Sequence, residues 1–267
     1  MIRLPKGFLL STDYSLFNMT ATVKVRHFVL PKGGSGAEEC EDAVAFDAGA
    51  LRFAVADGAT EAFDARRWAG RLASEWVGGG EAPLTAAEFA PWLKEQGEWL
   101  HASWEGRKLS WYAEEKRRAG SFAAFVGLRL EGAGRCLTWR AAALGDSCLV
   151  QRRGGEVVAA LPLSSAEGFN STPPLAPSNE ALVGPVLARL VEAEGCAEPG
   201  DAFLLATDAL AAWYFDALAR RRTDADEFDS LLAASDNVSL SRLVRRERAA
   251  ARMRDDDVAA VRILVGE

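Results

Sequence analysis

The chain has 267 residues and a net charge of −7, with 49 % apolar and 26 % charged residues. This is globular composition with enough length to bury a sizeable core, and the acidic balance excludes a general nucleic-acid surface, which needs Lys and Arg clustered in excess. Only two histidines and four cysteines, none in a C-x-x-C pair, exclude the common zinc and thioredoxin-type sites, and no apolar run approaches the ~18 residues that span a bilayer.

Residues 1–19 carry no clear period and read as an N-terminal tail, leaving 20–267 as one domain. The apolar "GFLL" within the tail is too short for a signal-peptide core, so a cytoplasmic setting with free thiols is expected. "TATVKVRHFVL" (20–30) alternates and predicts a strand, and "PKGGSGAEEC" after it is a Gly-rich loop. "DAVAFDAGALRFAVAD" predicts a hairpin of strands 43–47 and 51–56. "EAFDARRWAGRLASEWV" places Phe63, Trp68, Leu72 and Trp76 at helical spacing before a Gly stop. A second helix opens at Thr85 with Glu88 as a capping box, and its tryptophans read as a face buried on a sheet.

Segments 121–130, 136–144, 148–154 and 156–163 predict a meander of strands. The Ser/Pro/Asn-rich stretch 164–180 is long for a connection and reads as a functional flap. A strand then ends at Asp208, helices fill about 209–222 and 226–252, and "DDDVAAVRILV" closes the chain as a strand. The basic run "RRERAAARMR" (Arg245–Arg254) reads as a solvated helix face. Strands and helices in separate blocks argue α+β with packed sheets, not a doubly wound parallel fold.

Carboxylates recur at the ends of the predicted buried strands. They are Glu41 and Asp42, Asp57, Asp146, Asp208, and Asp255 to Asp257. Each alone is an ordinary cap or turn residue. Together, if the ends converge, each close pair repels by roughly 4 kcal/mol at an effective dielectric near 20, and a divalent cation relieves that. Oxygen-only donors with few His or Cys suit Mg²⁺ or Mn²⁺, and Gly58 lets the backbone approach an ion. "DDDVA" superficially fits the D-x-D motif of haloacid-dehalogenase phosphatases, but it precedes its strand instead of following one.

"ECEDAV", "VADGAT", "ALGDS", "LLATDAL" and "DDDVAAVRI" occur in that order over residues 22–265. In this order and context they resemble the five acidic motifs of the metal-dependent serine/threonine phosphatases of the 2C type. The resemblance implies a four-layer α-β-β-α sandwich, two antiparallel sheets flanked by helix pairs. It implies two Mn²⁺ or Mg²⁺ ions, bridged by Asp57 and contacted by the Gly58 carbonyl. Asp208 and Asp256 would hold one ion, Glu41 and Asp42 the other, and Asp146 with Asp208 a weaker third. Asp57, Asp208 and Asp256 would then act catalytically through a metal-activated water on a phosphorylated protein. No oligomeric state is implied.

The chain also departs from the pattern. Cys40 stands where Asn is common, Ala209 replaces the usual Gly, no Arg stands a few residues before Glu41, and no His follows Asp57–Gly58. If position 209 needs a positive φ, Ala there is strained by roughly 1 kcal/mol. These gaps keep two alternatives open, a non-catalytic phosphatase-fold binding module and a hydrolase of a small phosphoester.

Overall fold

The alternation of "VKVRHFVL" becomes strand β1 (Val23–Leu30), which pairs antiparallel with the last strand of the chain, β11 (Val258–Val265). Between them in sequence lie β2 (Asp42–Asp47), β3 (Arg52–Gly58), β4 (Phe122–Glu131), β5 (Leu137–Leu144), β6 (Cys148–Arg153), β7 (Glu156–Leu161), the short β8 (Ala176–Pro177), β9 (Val191–Ala197) and β10 (Ala202–Ala206). The helices are α1 (Ala65–Gly78), α2 (Ala86–Ala102), α3 (Trp111–Ala119), α4 (Glu180–Leu187), α5 (Asp208–Ala219), α6 (Asp224–Ala233) and α7 (Asn237–Ala249). The structure is a computed structural model and describes residues 22–106, 108–132 and 137–266. The N-terminal tail of 1–19 and Cys136 lie outside the described residues.

Two antiparallel sheets result. One runs β1-β11-β10-β6-β7, the other β2-β3-β4-β5-β9 with β8 on β4. Period-2 alternation sorts the side chains of each strand between two cores. On β3, Phe53 and Val55 face the gap between the sheets, where they meet Val126, Leu128, Phe203, Leu205, Val261 and Ile263. Ala54 and Ala56 face the other way, onto Trp68, Leu72 and Trp76 of α1 and onto Phe89 and Leu93 of α2. The other sheet packs its outer face on Leu210, Trp213 and Tyr214 of α5, Phe228 of α6 and Leu240 of α7. Each fully buried large apolar side chain contributes about 1.5–3 kcal/mol. The α-β-β-α sandwich expected from the resemblance is therefore present. Gly127 on β4 has a packing reason, since a Cβ there would run into the indole of Trp76.

Several local expectations are met. The hairpin forms with Leu51 at φ 55, and the capping box of Thr85 and Glu88 closes α2 reciprocally. Trp68, Trp76 and Trp104 are buried, while Trp99 stays 39 % exposed.

Others are corrected. The predicted meander is two hairpins: β4 pairs β5 and β6 pairs β7, but β5 and β6 belong to different sheets. The chain crosses between sheets at Gly145, whose φ of 110 suits a residue without Cβ. The stretch 226–252 is two helices, because Ser235 at φ 58 breaks the first and the Asp236 carboxylate accepts from Ser239 N to start the second. Helix α3, helix α4 and strand β9 were not predicted.

Ala209 sits inside α5 and is absent from the positive-φ residues, so the expected strain does not arise. The basic run is not simply a solvated face. Glu247 is buried and accepts from Trp213, Arg246 and Arg252, which hold its carboxyl down at about 2, and the side chain of Arg248 is 8 % exposed. No helix among the described residues is long and apolar enough to cross a membrane.

Candidate metal and phosphoryl-transfer site

Strand register brings the acids to one end of the sandwich. Asp57 is the penultimate residue of β3 and lies directly opposite Asp42 of β2, with Ala124 of β4 on its other side. By alternation both acids share the face of Phe53, Val55 and Val44, toward the gap between the sheets. In the facing sheet Ala206 pairs with both Ala260 and Cys148. The residues just past β10, just before β11 and just before β6 therefore share one rim. Those residues are Asp208, Asp256 and Asp146.

The rim surrounds a cleft of about 180 Å³ lined by Asp57, Gly58, Asp146, Asp208, Asp256 and Asp257. Asn170, Ser171, Pro173 and Leu175 of the long connection 164–180 form one wall, and Arg254 is the one cation among the described residues that line the cleft. A larger cavity of about 580 Å³, beside Arg67 and Arg71 of α1 and Trp99 of α2, contains none of the strand-end acids.

Two of the sequence candidates do not line the cleft. Asp42 is buried behind Asp57, where the hydroxyl of Thr207 donates to its Oδ2 at 2.8 Å. Glu41 turns its carboxylate toward Lys32 Nζ at 3.8 Å, and its Oε2 is buried without a hydrogen-bond partner among the described residues.

Gly58 has a steric role. Its N–H donates to the Glu41 carbonyl at 3.2 Å, and a Cβ would stand 2.7 Å from the Ala65 carbonyl that opens α1. Neither Asp57 nor Asp208 serves as a side-chain cap. Asp64 precedes α1, and Thr207 precedes α5 with Asp208 as its first residue.

The electrostatics follow from this crowding. Burial, then the charge of Asp42, then those of Asp208, Asp146 and Asp256 push the Asp57 carboxyl well above the usual range. Burial raises Asp42 in the same way, opposed by the Thr207 hydrogen bond and reinforced by Asp257, Asp208 and Asp256. Asp146 is pushed up to about 7 by burial first and Asp208 second. Cys40 beside them is a buried thiol pushed up to about 12, mainly by burial and then by Asp42, which makes it a packing residue and not a nucleophile.

Three residues to which the sequence analysis gave no role of their own organise the site. Asp257 accepts from the amides of Lys32 at 2.8 Å and Glu41 at 2.9 Å, so it ties the Gly-rich loop to β11. Thr207 accepts from Ala259 N at 2.9 Å while donating to Asp42, which links β10, β11 and β2. Arg254 donates through Nη2 to Asp208 Oδ2 and lies 3.2 Å from Asp256 Oδ2. All three stand inside stretches already singled out in the sequence, Asp257 in the acidic triplet, Thr207 in "LLATDAL" and Arg254 at the end of the basic run.

The donor set fits a hard divalent cation. It is oxygen only, anionic, partly withdrawn from water, and includes an orphaned carboxylate oxygen on Glu41. As placed, no three His, Cys, Asp or Glu side chains among the described residues close on one point.

No family model matches the chain, and no curated protein is similar to it in sequence. Solved structures are similar in fold. The serine/threonine phosphatase PstP/Ppp of Mycobacterium tuberculosis has a TM-score of 0.59 at 15 % identity, over 93 % of this chain and 100 % of that one. The catalytic domain of the serine/threonine protein phosphatase PstP, in complex with 2 manganese ions, has a TM-score of 0.55 at 18 % identity, over 93 % and 100 %. The photosystem II phosphatase PBCP has a TM-score of 0.55 at 15 % identity, over 91 % and 98 %. At these identities the likeness is one of fold: the chain has the fold of the 2C-type serine/threonine phosphatases.

Proposed function

We propose that this chain is a metal-dependent phosphatase that hydrolyses phosphoserine or phosphothreonine in a phosphorylated protein, with residues 20–267 acting as one domain. The observation that carries the reading is the convergence of Asp57, Asp146, Asp208 and Asp256, from four distant segments, on one cleft of a phosphatase fold. Asp57, Asp208 and Asp256 would hold Mn²⁺ or Mg²⁺, with Asp42 and Glu41 behind Asp57 and Asp146 at the far wall. When bound, such ions supply a water acidified to near neutrality and neutralise charge on phosphoryl oxygens.

The chain's own residues do the rest. Asp42 and Asp57 concentrate negative charge where a cation is wanted. Thr207 fixes the orientation of Asp42, and Asp257 fixes the loop that carries Glu41. The wall of Asn170 and Ser171 offers uncharged polar groups to a substrate and narrows access for bulk water. Among the described residues, neither a thiol nor a histidine lines the cleft.

A second reading, a phosphatase-fold binding module, is favoured by one observation: Arg254 already partners Asp208 and Asp256. Turnover of a phosphothreonine peptide with Mn²⁺, compared between the native chain and Asp57→Asn, separates the two. Hydrolysis that falls at least about a hundredfold in the variant is expected for the enzyme, given the usual size of losses at key electrostatic groups. Manganese binding without hydrolysis in the native chain would favour the module.

A further inference from the structure

We propose that Arg254 binds a phosphoryl oxygen of the substrate, taking the part of the arginine that is missing ahead of Glu41; this rests on the phosphatase reading above. Three observations carry it. First, Arg254 is the one cation among the described residues that line the acidic cleft. A dianionic phosphate entering a cleft lined by aspartates needs a fixed positive group beyond any bound ion.

Second, the guanidinium is anchored by one nitrogen only. Nη2 engages Asp208 and Asp256, while Nε and Nη1 have no hydrogen-bond partner among the described residues, on a side chain that is 57 % exposed. A guanidinium has five N–H donors and both of its two-donor edges include Nη2, so Nε and Nη1 can each offer a phosphoryl oxygen a single hydrogen bond without releasing the carboxylates. Asp208 and Asp256 thus hold Arg254 at the rim where the reacting group must lie.

Third, Arg254 and Asp208 form the partition between the cleft and an adjoining pocket of about 300 Å³ walled by Phe169, Ala212 and Met253. A phosphomonoester with its phosphate in the acidic cleft and its organic part in this less polar pocket passes its ester oxygen beside Arg254. Lys32 faces Glu41 instead and does not line the cleft.

The test is calorimetric titration of the full chain with inorganic phosphate at saturating Mn²⁺, alongside a separate Mn²⁺ titration, for the native protein, Arg254→Gln and Arg254→Lys. Circular dichroism confirms that each variant is folded. Loss of a charge-assisted contact predicts phosphate affinity about tenfold or more weaker in Arg254→Gln and partly restored in Arg254→Lys, with Mn²⁺ affinity within about threefold of native. In steady-state assays KM rises more than kcat falls.

Unchanged phosphate affinity with Mn²⁺ still bound overturns the assignment while leaving the phosphatase reading intact. So does loss of Mn²⁺ binding in Arg254→Gln, which would make the arginine an organiser of the carboxylates, or tighter Mn²⁺ binding with unaltered phosphate affinity, which would make it a competitor of the ion. A native chain that binds no Mn²⁺ removes the phosphatase reading and this assignment together.

Discussion

Replacing Asp146 by Asn is expected to stabilise the metal-free fold by an amount that grows above about pH 4 and levels off above about pH 7. Asp146 sits at the crossing between the sheets, buried beside Asp208, and its carboxyl is pushed from 3.8 up to about 7. At about 1.4 kcal/mol for each tenfold change in proton affinity, that rise corresponds to at most about 4 kcal/mol. Relaxation of the neighbouring carboxylates at a realistic dielectric brings the expected gain to about 2 kcal/mol.

The sign follows from proton counting. Between about pH 4 and pH 7 the folded chain holds a proton on Asp146 that the unfolded chain has lost, so native stability falls as pH rises through that window and is level above it. Asn carries no such penalty. Urea denaturation in chelator, at steps from pH 4 to pH 8, should show the two proteins equal at the acid end and the variant about 2 kcal/mol more stable at pH 8. A variant no more stable than native at pH 8, or a gap that does not change with pH, would refute the reasoning.

Gly58→Ala places a methyl 2.7 Å from the Ala65 carbonyl and is expected to cost about 1–3 kcal/mol, read from the denaturation midpoint at constant slope; a neutral result would show that α1 can shift. Thr207→Val keeps the shape but removes the donor to Asp42 and the acceptor of Ala259 N, and is expected to cost about 2–4 kcal/mol at pH 7. A loss under about 0.5 kcal/mol at pH 7 would show that this link does not hold the strands together.

The strand ends were legible because alternation and composition change sharply at a buried edge: "FAVADG" stops being apolar where β3 reaches the rim. The hairpin, the capping box and the tryptophan-rich helices were legible for the same local reason, since each is set by neighbours within a few residues. What failed was long range. The partition of β5 and β6 between two sheets depends on which neighbours each strand finds, and nothing within "AALGDSCLV" states it.

Helix α3 escaped notice because it buries none of its residues and so carries no apolar stripe. Asp257 was indistinguishable from Asp255 and Asp256 until the amides of Lys32 and Glu41, more than two hundred residues away, were seen to donate to it. Arg254 looked like part of a solvated basic run because its partners, Asp208 and Asp256, arrive only with the fold. Glu41 and Asp42 show the converse case. Adjacent in sequence, they point to different surroundings, since successive side chains at the start of a strand face opposite ways.

The central claim is that side chains of Asp57, Asp208 and Asp256 close on divalent ions. The most direct measurement is an anomalous-difference map from crystals of the full chain grown with Mn²⁺. Manganese peaks bounded by the carboxylates of Asp57, Asp208 and Asp256 are the predicted result. A map with no peak in that cleft at millimolar Mn²⁺, with Arg254 still bridging Asp208 and Asp256, would contradict it.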